Sequence, residues 1–220
     1  MKSVIFDCDG VLVNSEVLLV DSEMAFFRQH GLEYTTEYYM ANFMGIPMPD
    51  WKAKTSALLV EINAKPLPED FFDPLEATLS RRIEQELQPV TGAYEALKSL
   101  QYSKCVASSS SNQSLVSKLK STGLFELFDP HVFSTELVSH GKPAPDLFLH
   151  AANQLDVLPI DCIVVEDSAN GVLAGKRAGM QVIGFTGGGH CPPGHANALL
   201  SAGADFVATH FSEIVELLDK

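Results

Sequence analysis

Residues 4–13, Val4-Ile5-Phe6-Asp7-Cys8-Asp9-Gly10-Val11-Leu12-Val13, decide how the rest of the chain is read. An apolar run of β-branched and aromatic residues predicts a strand buried on both faces, the habit of parallel sheets. Two carboxylates at its C-terminal end stand where open α/β sheets bind ligands. Strand periodicity predicts that Asp7 and Asp9 point to one side, a crowding of charge that a cation or a proton must resolve. Asp and Gly also form ordinary surface turns, so this stretch alone leaves a turn after an edge strand open.

The 220 residues suffice for one core of ordinary size plus an insertion. With 46% hydrophobic and 20% charged residues, general disorder is excluded. Lys and Arg number 15 against 28 Asp and Glu, and the resulting charge of −13 repels nucleic acid and anionic membranes. An anionic substrate therefore needs a local reversal of field, from a metal ion or a few placed lysines. Cys8, Cys105, Cys162 and Cys191 form no CxxC pair and no zinc-ligand spacing, so reduced core thiols in a cytoplasmic protein are expected. No apolar run reaches membrane-spanning length, and a monomer is expected.

After the first strand, Asn14 or Ser15 can cap a helix carrying Val17, Val20, Met24 and Phe27, with Gly31 at its C′ position. A short helix over residues 36–43 follows; Gly45, Pro47 and Pro49 then break the chain, and Asp50 can cap a helix with Trp51, Leu58 and Ile62 on one face. Leu75, Leu79 and Ile83 mark a further helix after Pro66, Pro68 and Pro74. A crossover between parallel strands needs only about a dozen residues, so residues 14–87 are expected to be an inserted all-helical cap subdomain. Strands and helices then alternate: strands at 105–107, 132–133, 162–165, 182–185 and 206–208, helices between them. The expected fold is α/β: a Rossmann-like, doubly wound parallel sheet core formed by residues 1–13 and 88–220.

Three more strand ends carry chemistry. Residues 105–107 stop at Ser108, whose hydroxyl, with the backbone N–H groups that follow from Ser109, suits phosphate oxygens as well as it suits a plain strand-to-helix turn. Gly141-Lys142-Pro143-Ala144-Pro145-Asp146 holds a lysine in a rigid frame, although a helix start explains the prolines equally. Residues 163–165 end in Glu166-Asp167, a second acidic pair. On one parallel sheet these groups converge on a single crevice. Hard carboxylate oxygens suit Mg²⁺. Asp7 then reads as a nucleophile that becomes an aspartyl-phosphate, and Asp9 as the acid that protonates the leaving oxygen and later activates water.

In these motifs the chain resembles the haloacid dehalogenase superfamily, in the branch of β-phosphoglucomutase and small sugar-phosphate phosphatases. The likeness covers nearly the whole length: Asp7-Cys8-Asp9-Gly10-Val11 matches the first motif, Ser108 the second, Lys142 the third and Glu166-Asp167-Ser168 the fourth. The resemblance implies that Asp7, the Asp9 backbone carbonyl and Asp167 hold Mg²⁺, with Glu166 bound directly or through water. Ser108 and Lys142 would grip the phosphoryl group, and the helical insertion would select the substrate.

The leading expectation is a Mg²⁺-dependent phosphatase of a small phosphorylated metabolite, a sugar or sugar-acid phosphate. A phosphosugar mutase is the alternative on the same scaffold, and a receiver-like phosphoacceptor domain is a third. The mutase branch carries a His and an Arg in its cap; the matching positions here are Leu19 and Met48, with Lys52 or Arg81 as possible substitutes. Trp51 and Tyr38-Tyr39 suit either a substrate pocket or the cap's core. Gly187-Gly188-Gly189-His190, followed by Pro192, Pro193, Gly194 and His195, reads as a flexible loop, and the seven histidines as forming no rival cluster.

Overall fold

The structure is a computed structural model that describes residues 2–44, 46 and 48–219. Strand β1 (Ser3–Phe6) is fully buried and lies at the centre of a six-stranded sheet. The order is β3-β2-β1-β4-β5-β6, with β2 Ser103–Ser108, β3 Val132–Ser134, β4 Cys162–Glu166, β5 Gln181–Phe185 and β6 Phe206–Ala208. Every pairing is parallel. Strand order reverses between β1 and β4, and the crevice outside the carboxyl ends at such a switch point is where open α/β sheets bind ligands.

The chain falls into two compact units, Met1–Glu16 with Leu87–Lys220, and Val17–Glu86. In the first, α5 (Ala93–Ser99), α6 (Asn112–Ser121), α7 (Asp146–Gln154), α8 (Ala169–Arg177), α9 (His195–Ser201) and α10 (Phe211–Leu218) flank the sheet. Ile5, Ala107 and Val164 pack with Leu147, Phe148, Val172 and Leu199 in one buried cluster. Phe6 meets Phe128 and Phe211 at ring-centroid distances of 6.0 and 6.4 Å. Cys8, Cys105 and Cys162 are free and buried; Cys191 is free and half-buried.

The second unit contains α1 (Ser15–Gln29) from Val17 onward, α2 (Thr36–Asn42), α3 (Met48–Asn63) and α4 (Asp73–Glu86), with no strand among its described residues. Its core is aromatic. Phe27 stacks on Trp51 at 5.4 Å and meets Phe43 and Tyr39 edge-on at 5.0 and 5.8 Å. Tyr39 donates to the Glu23 carboxylate and accepts from Trp51 Nε1 at 3.3 Å. Trp51 and Tyr39 are thus core residues of this unit, and only Tyr38, stacked on Tyr34, is exposed. Among the described residues, no helix is long and apolar enough to cross a membrane.

Two local expectations need correction. Helix α3 begins at Met48, so Asp50 lies in its first turn, where a carboxylate still complements the helix dipole; Gly45 and Pro47 lie outside the described residues. Strand β1 stops at Phe6, so strand periodicity does not relate Asp7 to Asp9. Leu12 and Val13 N–H both donate to the Cys8 carbonyl, and Gly10 takes φ +77°, which folds the chain back on itself. The two carboxylates accordingly have different neighbours.

Removing the ring at the centre of the helical unit should be costly, since large-to-small core changes at Phe cost about 3–5 kcal/mol. Phe27→Ala is expected to lower the urea midpoint by a corresponding amount and Phe27→Leu by much less. A loss under about 1 kcal/mol for Phe27→Ala would contradict the packing role of this ring.

Candidate active site

Phe6, the last residue of β1, pairs with Val106 and Val165, and β4 runs one residue further and β2 two. Asp7 follows β1 directly and its N–H donates to the Val165 carbonyl at 3.0 Å. Ser108 and Glu166 close β2 and β4. Lys142 arrives from the loop before α7 with its side chain 5% exposed. Its ammonium donates to Asp7 Oδ1 at 2.6 Å, Glu166 Oε1 at 2.7 Å and the Ala107 carbonyl at 3.0 Å. All three of its protons are used. The paired carboxylates outweigh burial and raise its pKa, so it stays charged.

The other Glu166 oxygen accepts from Ser168 N–H and Oγ, each at 2.9 Å. Ser168 Oγ accepts in turn from Gly171 N–H at 3.0 Å and caps α8. Residue 171 must lack a side chain, because a Cβ there would lie 1.8 Å from Glu166 Oε1. Both Glu166 oxygens are therefore engaged, one by Lys142 and one by the start of α8.

Asp9 faces a second lysine. Lys118 Nζ donates to Asp9 Oδ1 at 2.5 Å and to Ser110 Oγ at 3.0 Å. Ser15 Oγ also donates to Asp9 Oδ1, Ser110 Oγ donates to Oδ2 at 2.8 Å, and Ser108 Oγ lies 3.5 Å from Oδ2. Burial works to raise this carboxyl, but the Lys118 ammonium and the hydrogen bonds from Lys118, Ser15 and Ser110 outweigh it and hold Asp9 below its ordinary value.

Asp7, Glu166 and Asp167 offer three buried carboxylate oxygens within 4.8 Å of one another. Burial drives Asp7 well above the ordinary carboxylate range, with Lys142 opposing and Glu166 and Asp167 adding to the rise. Asp167 is raised in the same way by burial and by Glu166. Such crowding is relieved by protons or by a cation, and an all-oxygen donor set fits a hard divalent ion. His190 Nε2 lies 2.9 Å from Asp167 Oδ2, and His195 Nε2 lies 2.5 Å from the Asp167 carbonyl oxygen. Half-buried Glu16, on the first turn of α1, is pushed up to about 7 by burial and by the charges of Asp9 and Asp167.

Of the residues singled out from the sequence, Asp7, Lys142, Glu166 and Asp167 lie together, Asp9 and Ser108 lie beside them around Lys118, and Ser109 stands apart. Its side chain is exposed and makes no hydrogen bond among the described residues, whereas the Ser110 hydroxyl turns inward. The glycine-rich segment is not merely a loop, since it brings His190 and His195 onto Asp167. Lys118, Ser110, Ser15 and this histidine pair were missed from sequence. For Lys118 a signal was available: it shares the buried stripe of α6 with Leu115 and Leu119, an unusual place for an unpaired charge.

Comparison with known proteins agrees with this geometry. The family model for haloacid dehalogenase-like hydrolases matches residues 4–185. The chain is 29% identical to the 6-phosphogluconate phosphatase of Escherichia coli K12 over 193 residues, 88% of this chain and 86% of that protein. It is 31% identical to a phosphorylated carbohydrates phosphatase of Thermotoga maritima, over 83% of this chain and 84% of that one. A crystal structure of a haloacid dehalogenase-like protein of unknown function from Agrobacterium tumefaciens superposes with a TM-score of 0.89 at 35% identity, covering 100% of this chain and 98% of the other.

Lys118→Met should leave Asp9 a poorly compensated charge. Breaking a buried pair costs about 3–5 kcal/mol, and the low end is expected because Asp9 is 20% exposed and keeps its hydroxyl donors. The folded pKa of Asp9 lies below its unfolded value, so its stabilisation is complete above the ordinary carboxylate range and lost as pH falls through the lowered value. Urea unfolding from pH 7 downward should show the gap between wild type and Lys118→Met widest near neutrality and shrinking with acid. A gap independent of pH would refute the pairing.

Proposed function

Because the chain belongs to the haloacid dehalogenase-like hydrolases, we propose that Asp7 takes the phosphoryl group of a small sugar or sugar-acid phosphate, with Mg²⁺ bound. The chain is a phosphomonoester hydrolase. We read it as a cytoplasmic monomer. The observation that carries the mechanism is the meeting of Asp7, Glu166 and Asp167 around one lysine, two residues from a separately buffered Asp9.

Asp7, the main-chain carbonyl of Asp9 and Asp167 would hold Mg²⁺, with Glu166 reaching it through water, and the bound ion would offset charge on the phosphoryl oxygens. Lys142 opposes the rise that burial and the neighbouring acids impose on Asp7, a role the bound ion would share, and it supplies positive charge where the transferring group builds up negative charge. The Ser108 hydroxyl and the Ser109 amide would meet the phosphoryl oxygens, while the Ser110 amide donates to Ser108 Oγ at 3.1 Å. Asp7 attacks phosphorus in line, and the ester oxygen departs with a proton from Asp9. Without substrate Asp9 is a carboxylate. A phosphoryl dianion arriving beside it adds negative charge and favours its protonation. After transfer, Asp9 returns to the carboxylate, removes a proton from water, and the hydroxide releases phosphate from Asp7.

The test is release of inorganic phosphate from a panel of sugar and sugar-acid phosphates, 6-phosphogluconate among them, with Mg²⁺ or with excess chelator. Activity should need the metal. Asp7→Asn should fall to background in a correctly folded protein. Asp9→Asn should lose about 10²- to 10⁴-fold on an alkyl phosphate and much less on p-nitrophenyl phosphate, whose leaving group needs no proton. Equal losses on the two substrates would remove Asp9 from the acid role.

A mutase needs a second phosphate clamp. Leu19 and Met48 cannot provide one and Lys52 is tied to Glu76, so the mutase reading rests on Arg81, which is exposed. A receiver domain has no use for a helical unit after β1 or for an Asp9 with its own lysine. An NMR time course on β-glucose 1-phosphate with a trace of bisphosphate should show free phosphate without glucose 6-phosphate. Hexose phosphate isomerised ahead of phosphate release would make the protein a mutase.

A further inference from the structure

The loop after β5 brings together three donors that the phosphatase chemistry does not use. His190, Cys191 and His195 each present a ligand atom, all within 4.8 Å of one another. Cys191 Sγ lies 3.6 Å from His190 Nε2, and Asp167 Oδ2 lies 2.9 Å from the same nitrogen. Tetrahedral zinc, with bonds of about 2.3 Å to sulfur and about 2.0–2.1 Å to nitrogen, sets the sulfur-to-nitrogen edge at about 3.6 Å. One edge of the coordination figure is thus already formed, and Asp167 Oδ2 lies beside its nitrogen corner. We propose that His190, Cys191 and His195, completed by Asp167, form a second metal site that takes a soft divalent cation such as Zn²⁺.

The donor set is two imidazoles, one thiolate and one carboxylate, which selects zinc over magnesium by softness and geometry. His190 is buried, while Cys191 and His195 are only half-buried, so an ion can enter from the open side. Metal-free, burial and the charge of Asp167 push the Cys191 thiol up to about 12, so it is protonated. Binding balances as follows: zinc takes a lone pair from one nitrogen of each imidazole and from sulfur, the thiol proton leaves to solvent, a proton on a ligating nitrogen moves to the other ring nitrogen, and the contact of His190 Nε2 with Asp167 Oδ2 is exchanged for the metal. His190 Nδ1 has no hydrogen-bond partner among the described residues. It is unsatisfied in either tautomer, and the shift forfeits no bond there. The consequence for turnover rests on the phosphatase reading: zinc held here draws Asp167 away from the magnesium position and inhibits.

Cobalt(II) is the probe. Titrated into the reduced full-length protein with excess Mg²⁺, one equivalent should produce four-coordinate visible bands and a near-ultraviolet thiolate charge-transfer band, both bleached by one equivalent of Zn²⁺. Cys191→Ala should lose the charge-transfer band, keep Mg²⁺-supported turnover of p-nitrophenyl phosphate, and need more zinc for inhibition. The increase should exceed the roughly 10- to 100-fold that loss of an outer-shell partner costs in metal affinity. His195→Gln, checked for wild-type circular dichroism, should weaken cobalt binding independently. No thiolate band in wild type, a band that survives Cys191→Ala, or zinc inhibition equal in wild type and Cys191→Ala would overturn the site. Absence of turnover with Mg²⁺ alone would instead count against the phosphatase reading, and the cobalt spectrum would still report on the site.

Discussion

Unequal charge in a confined space governs this protein. Asp7, Asp9, Glu166 and Asp167 are four carboxylates, and Lys118 and Lys142 are the two ammonium groups they meet, so the formal balance is −2. Burying like charges without compensation is among the most expensive things a fold can do. The two lysines do not share the deficit evenly. Lys118 pairs with Asp9 and the Ser15 and Ser110 hydroxyls add hydrogen bonds, so that carboxyl stays low; Lys142 is divided between Asp7 and Glu166, and burial raises Asp7 and Asp167. The uncompensated charge lies on the acids nearest one another, where a divalent ion would relieve it.

Parallel pairing is what makes the crowding unavoidable. The parallel register sets Asp7 level with Ala107 and Glu166, about 4.8 Å apart across the sheet, with Ser108 one residue further along β2. No single turn has to be contorted for Asp7, Ser108 and Glu166 to meet. Their finer placement depends on backbone where side chains are forbidden. A Cβ on Gly10 would come 1.9 Å from Asp167 Oδ2, and one on Gly171 would overlap Glu166. These two glycines are fixed by the carboxylates they touch, not by turn propensity alone.

That division explains what was legible in the sequence. The apolar runs of β1, β4 and β5 and the spacing of helices between strands are strong signals, because a buried strand has no alternative composition. The acidic pairs at strand ends were legible for the same reason: little but chemistry accounts for two carboxylates ending a buried strand. The Asp9 neighbourhood was not. Its partners Ser15, Ser110 and Lys118 come from two helix starts and one helix face, and no period in the sequence relates them. Ser109 was named for the backbone N–H groups that follow Ser108, and that reading gave no signal for the neighbouring Ser110 hydroxyl, which turns to Asp9. Trp51 and Tyr39 were ambiguous because an aromatic stripe looks alike in a core and in a pocket; the Tyr39 hydroxyl bound to Glu23 decides it.

The position of the histidine loop follows from the same sheet geometry. Glu166 pairs with Gly184, so β4 and β5 end nearly level, and whatever follows β5 must pass the flank of Asp167. A loop in that place touches the site from outside the catalytic strands β1, β2 and β4. Substitutions there can bias one carboxylate without moving the nucleophile or Lys142. Four glycines and two prolines give the loop freedom to approach and rigidity once there, and Gly188 has so little room that a Cβ would meet the Gly10 carbonyl oxygen at 2.5 Å. The backbone is therefore packed against the DxDG turn itself, which brings the loop that carries His190 alongside Asp167. A parallel sheet with a switch point supplies one such flank beside its acidic strand end, and this chain has filled that flank with ligating side chains.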